Sequence, residues 1–142
     1  MDSEQTIIFS KLKEAIITAY PLCHSLYLFG SWATQNQTEL SDLDIALLLP
    51  RQKNSMQSRK KFNLSLQLAQ IAGIEKVDII DIRHVDTLFQ MQIINTGRRD
   101  DIDDGNEANL FEMTILSQYQ KLNAERDTIL QEGIKRGRFY HV

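Results

Sequence analysis

At 142 residues the chain has the length of one domain, enough to enclose a core and too short for a large multi-domain polymerase. Hydrophobic residues at 42% and charged residues at 25% give a globular balance that argues against disorder and against a membrane protein. The net charge of -3 argues against a general nucleic-acid binder, because non-specific affinity for a phosphate backbone comes mostly from Lys and Arg. Met1 to Gln5 holds neither a positive segment nor an apolar signal core, so a cytoplasmic location is expected. Cys23 is the single cysteine, which excludes an internal disulfide and reads as a small buried hydrophobe.

Between Ser3 and Tyr20, Ile8, Leu12, Ala15, Ile16 and Ala19 recur at helical spacing, and Pro21 stops the helix. Ser25 to Phe29 is short, apolar and aromatic and runs into Gly30, as a strand delivering a turn does. Ser31 to Leu40 suits a helical turn or two followed by a loop. Leu43 to Leu49 is apolar on both faces, which places it centrally in a sheet, and Pro50 closes it. Met56 to Ala72 reads as a crossover helix with Phe62, Leu66 and Ala69 on one side and Gly73 at its end. Val77 to Ile82 is then a strand parallel to the previous one. Leu88 to Thr96 is another helix, Arg98 to Gly105 a polar linker, and Asn109 to about Glu132 a long amphipathic helix using Phe111, Ile115, Leu122 and Ile129. The order predicts an α/β (α+β) fold: a small mixed sheet flanked by helices, as a single domain over residues 1–142. Its core spans about 1–97, with a C-terminal helical extension of about 106–137.

The chemistry concentrates in one interval. Ten residues separate Gly30-Ser31 from Asp42-x-Asp44. Alternate side chains of a strand lie about 6 to 7 Å apart on one face, so Asp42 and Asp44 point together and can hold one or two magnesium ions. Such ions stabilise the attacking and leaving oxygens of an in-line displacement on a nucleoside triphosphate. Gly30 has no Cβ, so backbone amides can approach an anion, and with the Ser31 hydroxyl they are expected to bind the β and γ phosphates. Parallel strands put their starting ends together, which brings Asp78 to Asp42 and Asp44. Asp81 falls on the opposite face and reads as a cap. Asp78 is therefore the third carboxylate, bridging a metal or taking the proton from an incoming hydroxyl.

Other polar clusters read as structural. Asp100, Asp101, Asp103 and Asp104 form a solvated loop without the closing Glu of a calcium-binding loop. His24, His84 and His141 have no partner at ligand spacing. Of the basic groups, Arg98 and Arg99 are the ones to test for phosphate contact.

Gly30-Ser31 with Asp42-x-Asp44 resembles the signature of the DNA polymerase beta-like nucleotidyltransferase superfamily. With Ser41-Asp42-Leu43-Asp44-Ile45 and Val77-Asp78-Ile79-Ile80, nearly the whole chain resembles the minimal nucleotidyltransferase (MNT) family, especially the MntA-like antitoxins of HEPN/MNT toxin-antitoxin systems. Family members commonly carry a basic residue and a glycine after the Gly-Ser pair, where this chain has Trp32 and Gln35. The resemblance implies an adenylyltransferase that uses ATP and magnesium to place AMP on a tyrosine of a cognate HEPN ribonuclease toxin. Two alternatives are a non-catalytic antitoxin that inhibits by covering the toxin and a small-molecule nucleotidyltransferase of the antibiotic-modifying type. No direct nucleic-acid or membrane contact is expected.

Overall fold

The computed structural model describes residues 3–30, 43–51 and 56–135. Their elements are α1 (Ser3–Ala19), β1 (Ser25–Phe29), β2 (Leu43–Leu48), α2 (Ser58–Ala72), β3 (Val77–Asp81), a 3-10 turn (Ile82–His84), α3 (Thr87–Thr96), β4 (Arg98–Asp101) and α4 (Asn106–Lys135). The sheet order is β3-β2-β1-β4; β2 pairs parallel with β3, and β1 pairs antiparallel with both β2 and β4. The apolar β2 is central, as a strand buried on both faces must be. The helical reading of part of 31–40 lies outside the described residues.

Two apolar layers sandwich the sheet. Leu26, Leu28, Leu43, Ile45, Leu47, Val77 and Ile79 face α1 and α2, where they meet Leu12, Ile16, Leu64 and Leu68. Tyr27, Ala46 and Leu48 face the other way, toward Ile93 of α3 and Ala108, Phe111 and Ile115 of α4. Strand period two thus assigns every apolar β2 residue to one of two cores, and a one-residue slip would invert both.

Three expectations are corrected. The supposed linker after Gly97 contains β4, an edge strand of sequence Arg-Arg-Asp-Asp. It is held by charge on both faces: Lys13 Nζ bonds Asp100 Oδ1 at 3.0 Å on the α1 side, and Arg99 joins Asp101 and Glu112 on the α4 side. Asp100 and Asp101 therefore belong to the sheet and not to a solvated loop. In α2 the buried stripe is Leu64, Leu68 and Ala69, while Phe62 and Leu66 are exposed. The Ser65 hydroxyl donates to the Val77 carbonyl and turns that side of the helix to the sheet. In α4 the expected stripe holds for Phe111 and Ile115, but Ile129 is exposed.

Candidate active site

β1 ends at Gly30, whose φ of 88° lies in the left-handed region where a side chain would be strained. The chain can turn sharply there only because the residue is glycine. Phe29, immediately before it, pairs in register with Asp44 of β2, and Asp44 in turn pairs with Asp78 of β3. Register partners point to the same side of a sheet, so Phe29, Asp44 and Asp78 share the face that carries α3 and α4. Their strands are about 4.8 Å apart, which brings the two carboxylates together at one end of the parallel pair.

Asp44 is half-buried and Asp78 exposed. Lys76, two residues before Asp78 and so on the same face, places its Nζ 3.5 Å from Asp78 Oδ2. Period two makes Lys76 detectable in the sequence, although no reading of the motif requires it. Two adjacent carboxylates supply the hard oxygen donors that suit magnesium and lack the nitrogen or sulfur donors that suit zinc. Ser31 and Asp42, the other two expected site residues, lie outside the described residues, as do Trp32 and Gln35. Among the described residues no group of three or more His, Cys, Asp or Glu side chains is arranged to hold a metal.

Asp81 takes no part. It is buried, accepts a hydrogen bond from the Arg83 amide at 3.0 Å and caps the 3-10 turn, with His84 Nε2 3.4 Å away. Arg99 is committed to structure: its guanidinium bonds Asp101, Asn109, Glu112 and the Gly105 carbonyl. Arg98 lies over the Phe9 ring, 5.0 Å from its centroid. Phosphate contact is thus foreclosed for Arg99, whose donors are spent on tying β4 to α4. His24 bonds Asp103 at 2.6 Å, a structural role consistent with its lack of ligand-spaced partners. A cleft of about 310 Å³, lined by Arg51, Arg83, His84, Gln90 and Glu107 among others, opens beyond the carboxyl ends of β2 and β3, away from Asp44 and Asp78.

A small mixed sheet that aligns a glycine turn with acidic residues on two neighbouring strands is the framework of a nucleotidyltransferase. Residues 10–99 match the family described as polymerase beta, nucleotidyltransferase. The chain is 30% identical over 115 residues to the protein adenylyltransferase MntA of Shewanella oneidensis, an alignment covering 79% of this chain and 77% of the relative. It superposes with a TM-score of 0.68 and 25% identity on a chain of the complex between a tri-AMPylated Shewanella oneidensis HEPN toxin and MNT antitoxin, covering 92% of this chain and 98% of that one. A toxin-antitoxin crystal structure with AMP-PNP gives a TM-score of 0.68 at 28% identity, covering 88% and 97% of the two chains. The chain belongs to the polymerase beta nucleotidyltransferase family, in its minimal, MntA-like branch.

Proposed function

We propose that the protein is an antitoxin adenylyltransferase that transfers AMP from ATP to a tyrosine of a HEPN ribonuclease toxin and so silences it. The observation that carries this reading is the Asp44 and Asp78 register pair beside the Gly30 turn, in a chain related to a protein adenylyltransferase. The relative in complex with a tri-AMPylated HEPN toxin supports both the acceptor class and the partner. Leu110, Met113 and Leu116 form an exposed apolar stripe on α4, turned away from the sheet, of the kind that a protein partner covers.

In this reading Gly30 and Ser31 would bind the β and γ phosphates, Asp42 and Asp44 would act at the α phosphate, and Asp78 would serve the acceptor. The tyrosine oxygen attacks the α phosphorus, the bond from that phosphorus to the bridging oxygen of the β phosphate breaks, and pyrophosphate leaves. The tyrosine proton passes to the Asp78 carboxylate and then to solvent. Asp42, Asp44 and Asp78 would hold magnesium, which would supply charge neutralisation at the phosphates. AMP on a tyrosine near the ribonuclease site adds negative charge and bulk that oppose RNA binding. Among the described residues no helix is long and apolar enough to cross a membrane.

ATP labelled at the α phosphate distinguishes this reading from its rivals. Label is expected in a co-purified HEPN protein and absent when the γ phosphate is labelled instead. Toxin inhibition without label transfer would favour an antitoxin that acts by binding alone.

A further inference from the structure

We infer that Phe89, backed by Phe29 and flanked by Leu88, is the surface on which the nucleoside of ATP packs, a nucleoside-binding residue of the site. This rests on the adenylyl-transfer reading above. Along the edge of the sheet the order is the Gly30 turn at the end of β1, then Asp44 on β2, then Asp78 on β3. Neighbouring strands are about 4.8 Å apart, so the three positions span about 10 Å. In-line displacement aligns the acceptor oxygen, the α phosphorus and the leaving oxygen. With the phosphate tail at Gly30 and the acceptor at Asp78, that line runs across the strands. The ester oxygen to the ribose lies off the line, so the nucleoside leaves either past the end of the sheet into water or over the carboxylate face.

On that face the neighbour of Asp44 is Phe29, whose ring meets Phe89 edge-on, with centroids 6.0 Å apart and planes at 87°. Phe89 keeps 39% of its surface exposed and Leu88 keeps 50%. Both stand on a fixed support: the Asp86 carboxylate caps α3 by accepting the Phe89 amide at 2.8 Å, and the helix is anchored by buried Ile93. An exposed aromatic ring, braced by a second ring that is the register partner of a catalytic carboxylate, is placed to stack a base. Such stacking is sequence-tolerant, because every base has a π face.

Equilibrium binding of the full-length protein to ATP and to inorganic tripolyphosphate, both with magnesium, tests the assignment. Phe89→Ala is expected to weaken ATP binding about tenfold or more and to leave tripolyphosphate binding unchanged, with Phe89→Trp restoring ATP. Phe89→Leu keeps the apolar volume without the ring and serves if the alanine variant does not fold; it too should lose ATP affinity selectively. ATP binding equal to wild type in the ring-less variant, or equal weakening of both ligands, would overturn the inference. Unchanged ATP binding with loss of transfer to the protein acceptor would also overturn it, by assigning the ring to the acceptor. Wild-type protein that binds neither ligand would overturn the adenylyl-transfer reading itself.

Discussion

Asp44 and Asp78 are direct register partners across the parallel β2 and β3 ladder, and both lie on the sheet face opposite α1 and α2. Their juxtaposition follows from strand period and pairing alone, so neither carboxylate depends on a loop for its position. Asp44→Asn and Asp78→Asn should each reduce nucleotide transfer by at least about a hundredfold, the lower range for loss of a positioned proton acceptor or a phosphate-neutralising group. Thermal unfolding should shift little for the exposed Asp78. Initial rates with a labelled triphosphate, set beside melting curves of the same variants, check both halves of this expectation.

The corrected face of α2 gives a paired test of packing. Leu68 is fully buried whereas Leu66 is 56% exposed. Leu68→Ala should destabilise the fold by about 2 to 5 kcal/mol and Leu66→Ala by no more than about 0.5 kcal/mol. Urea unfolding of the two variants would show the reverse order if Phe62 and Leu66 faced the core.

Much of the fold was legible because hydrophobic period and punctuation agree: Pro21, Gly30, Pro50, Gly73 and Gly97 all stand within two residues of an element end. α2 misled because Phe62, Leu64, Leu66 and Leu68 offer two apolar stripes, and the choice between them is made by contacts with a distant strand, including Ser65 to Val77. β4 was illegible for a different reason. Its four residues are all charged, and what holds them is pairing with β1 and with Lys13 and Ser25, far away in sequence. At the site, Asp78 was separable from Asp81 by strand parity, and the structure places Asp81 as a cap. Lys76 shares the parity of Asp78 but no motif requires it, and the contact of Phe29 with Phe89, a ring pair between two elements, leaves no fixed spacing.

The Arg99 network should set the acid limit of stability. Its guanidinium, bonded to Asp101 at 2.7 Å, holds the Asp101 carboxyl below the usual carboxylate range, with help from the Ser25 hydroxyl. A carboxyl whose folded pKa is depressed contributes stability above its unfolded value of about 3.9, and that contribution is lost as pH falls through the folded value. Asp101→Asn should therefore lower stability by about 1 to 3 kcal/mol at pH 7. The gap to wild type should narrow between about pH 5 and pH 2. Denaturant titrations across that range would reveal a constant gap if the carboxylate charge were irrelevant.

Gly105 closes the same network. Its φ is 83°, and a Cβ there would stand 2.6 Å from Asp101 Oδ2 and 2.9 Å from Arg99 Nη2. Gly105→Ala should destabilise by about 1 kcal/mol or more, from backbone strain together with a displaced ion pair. A melting temperature equal to wild type would contradict the rigidity assigned to this corner.

Cys23 is 2% exposed, and burial pushes its thiol up to about 12. The native protein should resist thiol reagents at pH 8 and react fully once unfolded, because the nucleophile is the thiolate. Rapid colour development with a disulfide reagent on folded protein would refute this.

Intact mass spectrometry of a HEPN partner, after incubation with the protein, ATP and magnesium, tests the central claim most directly. The partner should gain mass in whole AMP increments localised to tyrosine, with wild type but not with Asp44→Asn, and its ribonuclease activity should fall in step. A partner inhibited equally by wild type and Asp44→Asn at unchanged mass would contradict the account.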